Sequence, residues 1–118
     1  MARQNYPPRK RASSSPRETG RLPIEKVASN RLNVKDALAR LKQGNAKLNE
    51  GDIDRAIAQY DLALALDGLL VEAYRMRGIA YTKKGETDRA IANFRTVLYF
   101  FPEDEDAKER IKALGAVP

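Results

Sequence analysis

The sequence predicts an all-α domain of about five helices, stacked as helix-turn-helix pairs behind a basic amino-terminal tail. Three observations carry this reading. Apolar residues recur at helical spacing from about Asn33 to the end of the chain. A block of the chain reappears at a fixed offset of 34 residues. All of the excess positive charge lies in the first 31 residues, outside the periodic part.

Taken in order, residues 1 to about 20 hold Pro7, Pro8, Pro16, Gly20 and the run Ser13, Ser14, Ser15, with Tyr6 as the one large apolar side chain. Such a segment buries too little apolar area to offset its ordering entropy, so it is expected to be disordered when unbound. Residues 21 to 32 carry Leu22, Ile24, Val27 and Leu32, a spacing that suits a short helix or an extended strip laid on the domain. Asn33, with Asp36 three residues on, reads as a helix start, because the Asn oxygen accepts from an early N–H and an acid favours the positive dipole end. Leu38, Leu41, Gly44, Asn45 and Leu48 then follow at helical spacing until Gly51. Asp52 or Asp54 can cap a second helix with Ala56, Ile57, Tyr60, Ala63, Leu64 and Leu66 as its buried stripe, stopped by Asp67-Gly68.

The internal match is residue by residue. Gly51, Asp54, Arg55, Ala56, Ile57 and Ala58 return as Gly85, Asp88, Arg89, Ala90, Ile91 and Ala92, and Gly44 and Tyr60 return as Gly78 and Phe94. A helix-turn-helix period of 34 residues resembles the tetratricopeptide repeat. The resemblance divides the chain into a basic tail, 1–31, and a domain, 32–118, with repeats at 37–70 and 71–104 and a closing helix at 105–115. The second repeat fills nearly every signature position, with Tyr74, Gly78, Tyr81, Ala90, Phe94 and Pro102. The first departs from the pattern at Arg40, Lys47 and Gly68. Because each unit buries its face only on its neighbours, two repeats need covered ends. Ala107, Ile111 and Leu114 suit a capping helix at one end, and Leu22, Ile24, Val27 and Leu32, or a second copy of the chain, suit the other.

Composition narrows the function. With neither cysteine nor histidine, the chain lacks thiolate ligands, disulfides and the commonest general base. The expectation is a non-catalytic protein with no cofactor and no metal, located in the cytoplasm, with the nucleus or an organelle as alternatives. Residues 1–31 contain eight basic and two acidic side chains, which accounts for the whole net charge of +6 and leaves 14 of each sign in 32–118. Basic character therefore belongs to the tail, above all to Arg9, Lys10, Arg11, Arg17 and Arg21.

In the tetratricopeptide family the first helix of each pair lines a concave peptide groove. The resemblance implies that Leu38, Leu41, Lys42, Asn45, Leu48 and Asn49 line it from the first repeat, and Glu72, Arg75, Met76, Ile79, Thr82 and Lys83 from the second. The closing helix adds Asp106 and Arg110. Apolar groups mixed with cations suit a protein partner presenting an acidic or hydrophobic peptide segment. One subset of the family grips chaperone carboxylate termini at positions matching Leu41, Asn45, Met76, Asp106 and Arg110. Only Asn45 and Arg110 agree with it, so a carboxylate-clamp chaperone partner is rejected. Tyr99 and Phe101 are apolar at places the pattern leaves polar, and Leu69 and Leu70 in the inter-repeat turn pose the same question more weakly, which marks a candidate interface and a homodimer or larger assembly. The acids Asp52, Asp54, Glu86, Asp88 and Glu103 to Asp106 all fall at helix starts, where dipoles already explain them. The function expected is a protein-interaction adaptor assisted by its tail. The alternative is recruitment to nucleic acid or an anionic membrane surface through that tail.

Overall fold

A computed structural model of the chain describes the backbone from residue 24 and side chains from residue 33. The tail cations Arg9, Lys10, Arg11, Arg17 and Arg21 lie outside the described residues, as do the side chains of Leu22, Ile24, Val27 and Leu32. Among the described residues five helices follow one another: α1 Ile24–Asn49, α2 Ile53–Leu66, α3 Val71–Lys84, α4 Thr87–Phe100 and α5 Glu105–Ala113. Each packs on the next across a short turn, and α1 also touches α3. Direction therefore alternates along the stack, so α1, α3 and α5 start toward the same side, with the longer α1 overrunning the edge where α3 and α5 begin.

The expected helix start at Asn33 is wrong. α1 begins at Ile24 and runs 26 residues without a break, so Asn33 sits inside it and the boundary at residue 32 falls within a helix. Nothing between Asn33 and Asp36 breaks a helix, and a capping residue is also a permitted interior residue when the chain before it is helical.

The other signals read as expected. Asp52, rather than Asp54, caps α2 by accepting from the Arg55 N–H at 3.3 Å. Asp104 caps α5 by accepting from Ala107 N–H at 2.8 Å. Gly51 and Gly85 take φ of +83° and +85°, a left-handed conformation that costs glycine nothing. The residue after each donates back five residues, Asp52 N–H to Lys47 at 2.9 Å and Glu86 N–H to Tyr81 at 2.9 Å.

Among the described residues two apolar clusters form the core. One joins α1, α2 and α3 around Tyr60, Leu41, Leu48 and several alanines. The other joins α4 and α5 around Phe94, Val97 and Ile111. Ile79 and Tyr81 pack against both, so α3 is the common wall. Of the expected α2 stripe, Ala56, Ile57, Tyr60 and Ala63 are buried, while Leu64 and Leu66 are half-buried. The paired glycines are what let the helices close. A Cβ on Gly44 would stand 2.5 Å from the Tyr60 ring, and one on Gly78 2.8 Å from the Phe94 ring.

Candidate peptide-binding groove

The groove that the resemblance implies would run along α1, α3 and α5. Between α3 and α5 lies a hollow of about 410 Å³, walled by Glu72, Arg75, Met76, Ile79, Asp104, Glu105, Asp106 and Arg110. Met76 and Ile79, both half-buried, make its apolar floor. Six of the candidate residues thus come together here: Glu72, Arg75, Met76, Ile79, Asp106 and Arg110.

The rest do not join them. Leu41 and Leu48 are 7% and 8% exposed and belong to the core, not the groove. A helix whose apolar stripe spans more than 100° offers residues to both core and groove, and spacing alone does not divide them. Asn45 is half-buried and accepts from the Tyr60 hydroxyl at 2.7 Å. Lys42 and Lys83 are exposed and stand outside the hollow.

The charge of the hollow differs from the sequence expectation. Arg75 donates to both oxygens of Asp104 at 2.9 and 2.6 Å, to Asp106 at 2.8 Å and to Glu72 at 3.0 Å. A forked guanidinium–carboxylate contact of this kind is among the stronger and more directional ion pairs. It pins the start of α5 to α3. Asp104, bonded by Arg75 and by the Ala107 N–H, has its pKa pulled down to about 2. Arg75, held chiefly by Asp104, titrates well above its ordinary range. Arg110 donates to Asp106 at 3.0 Å and leans over the Phe94 ring at 5.9 Å. The two arginines are thus already met by carboxylates of the same chain, and the expected cationic character of the groove is corrected. Sequence reasoning named Asp104 and Glu105 only as helix-start acids, because Arg75 lies 29 residues from Asp104 and nothing local joins them.

A second exposed surface runs along the edge where α2 and α4 end. Tyr99 is 80% exposed, Phe101 55% and Leu69 73%. Tyr99 meets Phe100 edge-on at 5.3 Å, Phe100 stacks on Tyr74 at 6.3 Å, and the Tyr74 hydroxyl donates to the Gly68 carbonyl at 3.1 Å. The aromatic run therefore extends toward Leu69 through Tyr74. Leu70 is not part of this edge, since it is half-buried against the first core cluster. Another cross-helix tie escaped the sequence reading: Arg77 donates to Asp61 and to buried Asn93, each at 2.8 Å.

The sequence profile of the tetratricopeptide repeat matches residues 37–68 and 71–104, more than half of the chain. The chain belongs to the tetratricopeptide repeat family. It is similar to the tetratricopeptide repeat domain-containing protein PYG7, chloroplastic, of Arabidopsis thaliana, with 37% identity over 71 residues. That match covers 60% of this chain and 24% of the relative, so the chain spans about a quarter of the relative's length. The fold is similar to the crystal structure of MamA protein, with a TM-score of 0.66 and 26% identity, over 70% of this chain and 44% of that one. Tetratricopeptide proteins are in general protein-interaction scaffolds. Among the described residues no helix is long and apolar enough to cross a membrane.

Proposed function

We propose that the chain is a non-catalytic adaptor that binds a polypeptide partner in the concave hollow between α3 and α5. The observation that supports this reading best is a half-buried apolar floor, Met76 and Ile79, left open inside a rim of fixed charges. An extended or helical segment gains apolar contact from the floor and register from the rim. A carboxylate-clamp partner fits poorly. Of the two matching side chains, Asn45 is held by Tyr60 and Arg110 by Asp106.

Capture of a partner from the native cell extract, with Met76→Glu as control, tests the groove. At least one partner is expected to be lost on Met76→Glu with helicity intact. Retention of every partner moves the binding surface elsewhere. Arg75 is left unchanged in this test because its loss would loosen α5 as well as the groove.

A second contact surface has the exposed Tyr99, Phe101 and Leu69 in its favour. We read it as a site of self-association, since two repeats leave an open end and pairing stabilises both copies by mass action. Light scattering over a concentration series is expected to show a dimer that Tyr99→Lys with Phe101→Lys dissociates. A wild-type chain that stays monomeric at about 0.1 mM, with a concentration-independent Tm, removes this reading. Recruitment to nucleic acid or an anionic membrane rests on the charge of residues 1–31 alone. Cytoplasm, nucleus and organelle stay open as locations, and the chloroplast in the relative's name favours the third.

A further inference from the structure

Charge is sorted along the groove in a way that selects its occupant. The hollow presents Glu72, Asp104, Glu105 and Asp106 against Arg75 and Arg110, an excess of two negative charges. Lys108 approaches Glu105 at 3.5 Å and Glu103 at 3.3 Å. Counting this lysine with both of its partners leaves the same excess. The amino termini of α3 and α5 contribute about half a positive charge each, which reduces the excess without reversing it. Arg75 does not reach outward, being enclosed by three carboxylates and only 18% exposed, and Arg110, 40% exposed, is tied to Asp106, whereas Glu72 and Asp106 are about half exposed and Glu105 more so. An incoming segment therefore meets carboxylates around an apolar floor.

The same chain supplies a segment of that chemistry. Residues 1–23 contain Arg3, Arg9, Lys10, Arg11, Arg17 and Arg21 against the single acid Glu18, a charge of +5, with Tyr6, Pro7 and Pro8 directly before the basic triplet. Their attachment point is right. α1 begins at Ile24 and overruns the edge shared by the starts of α3 and α5, since its first 13 residues precede the first repeat at Ala37. At about 1.5 Å per residue they carry the attachment roughly 20 Å past that edge. Two steps of about 10 Å separate α1 from α5 across the stack. The path back to the hollow is thus about 30 Å, far inside the extended reach of about 75 Å of a 23-residue segment.

We propose that residues 1–23, centred on Arg9, Lys10 and Arg11, occupy the acidic-rimmed hollow between α3 and α5 of their own chain, and that a partner of the same basic and apolar chemistry binds by displacing them. This deepens the groove reading and rests on it. Tethering sets a local concentration on the order of 1 mM, so even a weak contact is largely made within one chain. If the untethered affinity is about 0.1 mM, the tail weakens a competing segment by about tenfold.

The chain is suited to a direct test, since it has no cysteine and only two methionines, Met1 and Met76. The full chain carries a nitroxide on Ser14→Cys and isotope-labelled methionine methyls. At low salt the Met76 resonance, on the floor of the hollow, is expected to be broadened by the label. It is expected to sharpen at about 1 M salt, where charges screen within about 3 Å. It is also expected to sharpen in the full chain bearing Arg9→Glu, Lys10→Glu and Arg11→Glu, and in part with Glu72→Gln plus Glu105→Gln, which leaves the Arg75–Asp104 pair in place. A synthetic peptide of residues 3–21 is expected to bind the tail-reversed chain about tenfold more tightly than the native one. An unbroadened Met76 at low salt overturns the proposal, as does broadening that survives the tail reversal. Broadening seen only between differently labelled chains assigns the hollow to a second copy and overturns it too. Binding of the tail to RNA or anionic vesicles with no effect on Met76 does the same. Partner capture lost on Met76→Glu, with Met76 unaffected by the label, leaves the groove reading standing and removes this inference alone.

Discussion

In the first repeat the side chain that wedges the two helices together is Tyr60; in the second, at the equivalent position, it is Phe94. Both are fully buried and both press on a glycine of the facing helix. They differ by one oxygen, and the difference has a partner at the same spacing. The Tyr60 hydroxyl donates to Asn45, whereas the residue 34 positions after Asn45 is Ile79, which packs on the cluster holding Phe94. Each repeat is therefore matched within itself, polar with polar and apolar with apolar. The comparison shows that the repeat conserves volume and contact geometry between helices while the chemistry inside the contact is free to change in pairs.

The severest way to break the equivalence is to empty each wedge. Phe94→Ala and Tyr60→Ala are each expected to cost about 3–5 kcal/mol, read from denaturant midpoints. A difference between them of more than about 2 kcal/mol would show that one repeat carries the stack.

A smaller effect separates the repeats by pH. Burial, helped by the charge of Glu72, raises the Tyr60 hydroxyl from 10.0 to about 12. A group whose pKa is raised on folding contributes below its unfolded value and loses that contribution as pH climbs through the folded one. Stability is thus expected to fall between pH 10 and about 12, by roughly 2–3 kcal/mol at most. Thermal melts of Tyr60→Phe across the same range are expected to lose this part of the alkaline decline. An unchanged profile would place the titration elsewhere.

The smallest expected change sharpens the pairing itself. Tyr60→Phe removes one hydrogen bond and is expected to cost about 1 kcal/mol. Adding Asn45→Ile, which copies the second repeat, is expected to recover part of it. A double-mutant cycle with a coupling energy indistinguishable from zero refutes the claim that the two positions act as a pair.

Much of the fold was legible because its signals are local or periodic. Gly51 and Gly85 mark helix ends, Asp52 and Asp104 mark starts, and the offset of 34 fixes the pairing of helices. The start of α1 was missed because Asn33 and Asp36 imitate a cap inside a helix that had already begun. The groove was half legible. Met76 and Ile79 were found by position, but Leu41 and Leu48 turn inward, and the sign of the charge was misread. That sign depends on Arg75 reaching α5, a contact between residues 29 and 31 positions apart that no spacing rule contains.

The unbroken α1 sets a phase between the segment before the repeats and the repeats themselves. A helix turns about 100° and advances about 1.5 Å with each residue. One residue inserted between Ile24 and Ala37 would swing whatever precedes it a quarter-turn or more around the stack, whereas four would return it to within about 40° of its original bearing. The length of α1 ahead of the repeats thus decides at which bearing around the stack the residues before Ile24 are attached.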